Sequence, residues 1–394
     1  MRWSSAASDE PVLEKAIESL SRDILAQMAG DPIDLAVVFV SRQFAMRLKD
    51  VSPLLRRALP HKTLIGCSAG GVIGGGREIE QRAGLSLTAA HLPDVTVTLI
   101  TLEGALLPDL DASPRAWHEA LAVPAEPTPH FVMLADPFSF PAPDFIAGLD
   151  YAYPKSVKVG GLASGASAPG GNALYSGATT RHSGLVGVAL SGNISVDTIV
   201  AQGCRPIGKP LRITRCEGNI LFEIEGRPPV EVIRDLIGSL DERDRQLVQN
   251  ALFIGVATEE FVTSPRSGDY LIRNLVGVDP QRGALAVGDH LRNGQIVQFH
   301  LRDAAASAED LAVLLDRFAS GRLAGGASGA LLFSCLGRGI HLYGCADHDT
   351  GLFREHVGDL PIGGFFCNGE IGPVGGTTHL HGYTSSFGIF SPAR

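Results

Sequence analysis

Two hydrophobic rhythms alternate along the chain. Residues 11–30 place Leu13, Ile17, Leu20, Ile24 and Leu25 at helical spacing, with Asp9 expected as a cap and Pro11 in the first turn. Residues 35–40 read as a buried strand, and from there a unit recurs: an apolar strand, a helix, and a second strand running into glycine. The first copy takes strands at 36–40 and 63–65, a helix over 43–59, and a turn at Gly66. The second takes 131–134, a helix over 143–149, and 157–159 entering Gly160-Gly161. The third takes 330–333 and the stretch from Ile362 into Gly363-Gly364. A partial fourth copy starts at 252–256 without a glycine-rich partner. Strand–crossover–strand units are built most simply as parallel pairs with right-handed connections, so three copies imply duplication.

Between the copies the pattern alternates with period two at 85–90, 95–99, 184–190, 196–201, 211–215 and 220–225, as antiparallel strands do. Helical spacing returns at Val230, Ile233, Leu236 and Ile237. The expectation is an α/β protein of two domains, built of related strand-helix-strand units with mixed parallel and antiparallel sheets. The predicted parts are an N-terminal helix at 1–30, a first domain at 31–226 and a second at 227–394.

Bulk properties narrow the function. A chain of 394 residues exceeds what one core usually supports. With a formal charge of −9 and no basic stripe, nucleic acid is not an expected partner. No apolar run approaches the ~20 residues of a spanning helix, and the first residues lack the apolar centre of a signal peptide. Six cysteines (67, 204, 216, 335, 345 and 367) form no CxxC pair, which fits reduced thiols and a cytoplasmic protein without membrane partners.

With these elements placed, the chain resembles the FIST family, sensory proteins with paired N- and C-terminal domains, found in bacteria and in eukaryotic F-box proteins. The resemblance rests on Gly203-Cys204-Arg205-Pro206-Ile207-Gly208, on Arg273-Asn274-Leu275, on Gly288-Asp289, and on the runs 333–339 and 365–372. It covers roughly residues 31–390 and implies a small-ligand sensor proposed to bind amino acids or related metabolites. No segment is left over for an output domain, so a signalling partner in trans is expected.

Candidate ligand contacts follow from residue chemistry. Glu370, within Asn368-Gly369-Glu370, offers a carboxylate between glycines, suited to an ammonium group or to its own turn's amides. Arg338 between Gly337 and Gly339 offers a forked donor for a carboxylate. Ser68 offers a hydroxyl, and Arg273 either a ligand contact or an internal ion pair. Ser164 has the same choice between ligand and cap as Ser68. Asn368, Gly369 and Cys67 complete the expected ligand contacts. Cys67 and Cys367 sit beside glycines, which raises a rival reading as a thiol-dependent hydrolase or transferase, with His379 or His381 as the base of Cys367. A third reading is a protein-interaction scaffold.

No cofactor or metal is expected. His379 and His381 share a strand face without further ligands, and residues 346–351 read as a polar turn. Gly203 to Lys209 mimics a phosphate loop, but Pro210 stands where Ser or Thr is required. The expected mechanism is a shift of the two-domain arrangement, driven by ligand contacts at Glu370 and Arg338.

Overall fold

The computed structural model describes residues 1–258, 269–321 and 326–393. The chain divides into a larger unit, residues 1–200 and 312–394, and a smaller unit, residues 201–311. Mixed sheets and helices make it α/β, as the periodicity predicts.

Each strand-helix-strand copy is a parallel pair in the larger unit. Leu35–Ser41 pairs with Thr63–Ala69, His130–Ala135 with Lys158–Leu162, and Gly329–Cys335 with Ile362–Cys367. Each pair is the centre of a six-stranded sheet. A return strand from the same copy lies antiparallel to each first strand: Leu85–His91, Leu185–Gly192 and Ser385–Ser391.

Beside each second strand lies a hairpin supplied by another copy. The first sheet takes Leu174–Ser176 and Thr179–Arg181 from the second copy. The second takes Glu370–Val374 and Thr377–His381 from the third. The third takes Gly71–Gly74 and Arg77–Glu80 from the first. The outer strands rotate in the same sense: Val95–Leu102 joins the second sheet and Ser195–Ala201 the third, while the N-terminal strand Arg2–Ser8 completes the first. The three copies are therefore interlocked and cannot fold as independent modules.

The alternation within each strand explains the layers. Leu35, Val37 and Phe39 face a core shared with Leu134, Val159, Phe333 and Phe365, where Phe39 stacks on Phe365 at 4.6 Å between ring centroids. Ala36, Val38 and Val40 face the helices Leu13–Met28 and Val51–Ala58 on the other side. The first helix begins later than the sequence pattern implies. Val12 is its N-cap and no side chain caps it, so Asp9 does not serve that role. The helix expected over 43–59 is a 3₁₀ segment, Arg42–Asp50, followed by Val51–Ala58.

The glycines expected to end strands lie inside them. Gly66, Gly160 and Gly364 stand opposite Val38, Met133 and Leu332. A Cβ at these positions would lie 2.0, 1.9 and 1.8 Å from the carbonyl oxygens of those partners. Glycine is required there by close backbone approach across a parallel pair, and no turn is made.

The smaller unit is a closed barrel ordered Arg205–Glu217, Ile220–Ile224, Ala284–Val287, Tyr270–Asp279, Leu252–Ala257 and Ile296–Leu301. Pro229–Ser239 and Glu242–Ala251 are its helices. The strand read as a fourth copy, Leu252–Ala257, is antiparallel to both neighbours. It belongs to the barrel, with no parallel partner among the described residues.

Candidate functional site at the strand ends of the larger unit

In open α/β sheets, ligands gather outside the carboxyl ends of parallel strands. Here those ends meet. Ser164 links all three copies: its hydroxyl accepts from Gly70 N at 2.9 Å and donates to the carbonyl of Phe366. Its amide and that of Gly165 both donate to Ser68 O at 3.2 Å. Leu162 N donates to Gly369 O at 2.8 Å, and Asn368 N to Leu162 O at 3.0 Å. The backbones of Ser68, Asn368 and Gly369, with Glu370 next in the chain, thus converge on one junction. The exposed side chains at its edge are Asn368 and Leu336, the latter packed near Gly70.

Most sequence-chosen groups lie behind this face. The Ser68 hydroxyl is buried, donating to Asn172 Oδ1 at 3.2 Å and accepting from Ala173 N at 2.9 Å. Asn172 passes the chain on to Asp136 at 2.9 Å. Cys67 and Cys367 are wholly buried, and burial pushes both thiols well above their ordinary value. A nucleophilic cysteine needs the opposite shift, so the thiol-enzyme reading loses its physical basis. His381 Nε2 is hydrogen-bonded to Gly372 O at 2.9 Å, inside the hairpin.

Glu370 is fully buried and opens the strand Glu370–Val374. Its Oε2 accepts from Thr384 N at 3.1 Å and from Thr384 Oγ1 at 2.8 Å. The equivalent amides in the other copies, Gly84 N and Gly184 N, donate to Ser41 Oγ at 2.8 Å and Ser139 Oγ at 3.0 Å. Glu370 therefore meets the same backbone need with a carboxylate where the other copies use hydroxyls.

Arg338 is fully buried and already paired. Its Nε donates to Asp349 Oδ2 at 2.9 Å, and its Nη2 to Asp349 Oδ1 at 3.3 Å and Tyr343 Oη at 2.6 Å. Ser385 Oγ donates to Asp349 Oδ2 at 2.5 Å. Burial alone would raise Asp349, but Arg338 and hydrogen bonds from His348, Arg338 and Ser385 hold it well below the usual carboxylate range. Arg338 Nη1 also reaches Tyr383 O at 3.5 Å. Arg338, Glu370 and Asp349 thus grip three successive residues, Tyr383, Thr384 and Ser385. Tyr383 there holds φ 71°, rare for a side-chain-bearing residue.

Two other placements depart from the sequence reading. Residues 346–351 are no simple turn: Asp347 is the N-cap position of the helix His348–Val357, whose first turn carries Asp349. An acidic group there also suits the helix dipole. Arg273 lies in the smaller unit on Tyr270–Asp279, with Nε donating to Asp289 Oδ2 at 2.6 Å. It takes the internal-pair alternative. Among the described residues no His, Cys, Asp or Glu cluster has the makings of a metal centre.

Sequence reasoning missed Asp349 and also Glu78. Glu78 is buried in the strand Arg77–Glu80, where its Oε1 accepts from Thr350 N at 2.8 Å. Burial first, and then the negative charge of Asp349, raise its pKa to about 8. The folded state therefore holds a proton on Glu78 that the unfolded chain releases above its ordinary value of 4.5. Stability linked to this group is complete below that value and is lost as pH rises toward about 8. Glu78→Gln keeps the acceptor and removes the titration. Urea unfolding from pH 5 to 9 should show the wild type losing on the order of 3 kcal/mol more than the variant. Parallel pH profiles would contradict this assignment.

Comparison with known proteins fits this architecture. The FIST N domain matches residues 34–227 and the FIST C domain residues 229–373. An uncharacterized protein of Mycobacterium tuberculosis (strain H37Rv) is 35% identical over 394 residues, covering 99% of this chain and 100% of its own. An uncharacterized protein of Mycobacterium bovis is 36% identical over 370 residues, 92% of each chain. An F-box/LRR-repeat protein of Arabidopsis thaliana is 30% identical over 111 residues, 27% of this chain and 21% of that one. A cyanuric acid hydrolase structure from A. caulinodans aligns over 100% of this chain and 99% of its own, at 8% identity and a TM-score of 0.35, too distant to carry an argument. No helix among the described residues is long and apolar enough to cross a membrane. The chain belongs to the FIST family, sensory domains of signalling proteins, and carries its N and C domains in tandem.

Proposed function

We propose that this protein is a cytoplasmic sensor of a small, amino-acid-like molecule, received at the strand-end face of the larger unit and passed to a signalling partner in trans. The observation that carries the reading is the convergence of all three copies on Ser164, with Asn368 exposed beside it. The Asn368 amide supplies donors and an acceptor for a zwitterion, and Gly369 lets backbone approach closely. Ser68, Cys67, Glu370 and Arg338 stand behind the face as positioning groups. All six cysteines are free, which supports a reducing compartment.

The switch we propose is the segment Tyr383–Thr384–Ser385. A ligand shifts an equilibrium only by binding one state more tightly. Contacts at Asn368 reach this segment through Glu370, two residues along the chain. In a thermal-shift screen of amino acids, a binder at ~100 times its Kd should stabilise the protein by ~2.7 kcal/mol. Asn368→Ala should remove that stabilisation at unchanged ligand-free midpoint. No response to any zwitterion, or a response to every binder left undiminished in the variant, would contradict the proposal.

A further inference from the structure

The motif around Gly208, which the strand-end site leaves unused, builds a cleft in the smaller unit. In the barrel, Ile207 stands opposite Phe299 and Leu211 opposite Val297, so the strand Arg205–Glu217 carries extra residues in a bulge. Bulges re-aim chains beside functional sites. Gly208 holds φ 65° within this one, and its carbonyl accepts from Gln298 Nε2 at 3.0 Å. A Cβ on Gly208 would lie 2.8 Å from Leu236 Cδ1 on the helix Pro229–Ser239. Between bulge and helix opens a cleft of about 290 Å³, with Ile207, Leu211, Ile224, Val232, Leu236 and Phe299 as its apolar walls.

We infer that this cleft is a binding site for a zwitterion with an apolar side chain, separate from the strand-end face. Its volume is at the small end of the ~300–1,000 Å³ of ligand pockets, a fit for a metabolite of amino-acid size. Its lining carries both charges in matched pairs. Lys209 Nζ lies 3.6 Å from Glu225, and Arg227 Nη2 lies 2.7 Å from Asp235 and 3.7 Å from Glu231. All these side chains are substantially exposed, and such pairs are held weakly. A ligand carboxylate can therefore take Lys209 or Arg227, and its ammonium Glu225 or Asp235, while the side chain enters the apolar walls. A ligand with one charge leaves half of this lining unused.

Isothermal titration of the full chain tests this with L-phenylalanine, L-leucine, glycine, 2-phenylethylamine and 3-phenylpropionate. The two apolar amino acids should bind at least tenfold more tightly than the other three. Leu236→Trp fills the cleft and should weaken L-phenylalanine at least tenfold. Should that variant misfold, the surface pair Lys209→Glu with Arg227→Glu leaves the walls intact and should cost L-phenylalanine its advantage over 2-phenylethylamine. Met46→Ser, at an exposed position of the larger unit, should leave this binding unchanged. Glycine or 3-phenylpropionate binding as tightly as L-phenylalanine would overturn the inference, as would unchanged binding in both cleft variants. Loss of binding in Asn368→Ala alone would overturn it too, and would leave the strand-end reading standing.

Discussion

Arg338→Met should lower the unfolding free energy by about 3–5 kcal/mol, because it strands the buried carboxylate of Asp349 without its counter-charge. Arg338 has no solvent exposure and Asp349 only 2%, so water cannot replace the lost partner. Methionine keeps much of the volume, so the loss falls on the charge and on the hydrogen bonds to Tyr343 and Tyr383. The double variant Arg338→Met, Asp349→Leu should recover part of the loss, since it removes both ions together. Recovery will be incomplete because Ser385 Oγ and Ser334 Oγ also donate to Asp349. Urea unfolding of the two variants checks this. A loss below ~1 kcal/mol in the single variant, the range of exposed pairs, would mean that the pair is solvated. The depressed Asp349 pKa adds a sign. Its contribution is present above the unfolded value of 3.8 and is lost only as pH falls through the lower folded value.

Gly364→Ala should be at least as damaging, with ~4 kcal/mol or more lost, or no folded protein recovered. Its new Cβ would lie 1.8 Å from Leu332 O, on the backbone of the neighbouring parallel strand. A flexible side chain could swing away, but a backbone carbonyl within a sheet cannot yield without breaking the register. Gly66→Ala and Gly160→Ala should fail in the same way, at 2.0 and 1.9 Å from Val38 O and Met133 O. Gly376→Ala is the control. Nothing lies within 4 Å of its added Cβ, and φ of 84° leaves only backbone strain, of order ~1 kcal/mol. Yields of folded protein and circular dichroism melts compare the four. Equal melting midpoints for Gly364→Ala and Gly376→Ala would refute the close-approach account.

Those glycines mark both the reach and the limit of sequence reasoning. Their recurrence after apolar strands was legible, and it located three parallel pairs. Their purpose was not, because a glycine that permits close approach of another strand looks in sequence like one that permits a turn. Hairpin exchange was hidden for a related reason: the short strands Leu174–Ser176 and Gly71–Gly74 pair with segments far away in the chain. Periodicity reports which face is apolar and says nothing of which neighbour it meets.

The charged groups followed a similar division. Glu370 and Arg338 were visible because each sits among glycines. Asp349 was not, since Asp347-His348-Asp349 looks like any polar turn until Arg338 is buried against it. Glu78, in the alternating run Arg77-Glu78-Ile79-Glu80, reads by default as a solvated strand face. Only the hairpin's transfer to the third sheet buries it beside Thr350. Buried ion pairs are products of tertiary packing, and a single sequence carries little trace of them.

Hydrogen–deuterium exchange with and without a saturating amino acid found in the screen addresses the central claim most directly. The account predicts added protection at residues 66–70, 162–166 and 365–371, together with Tyr383–Ser385, where Arg338, Glu370 and Asp349 hold the backbone. Saturating ligand that leaves all of these segments unchanged, with protection arising only elsewhere in the chain, would contradict it.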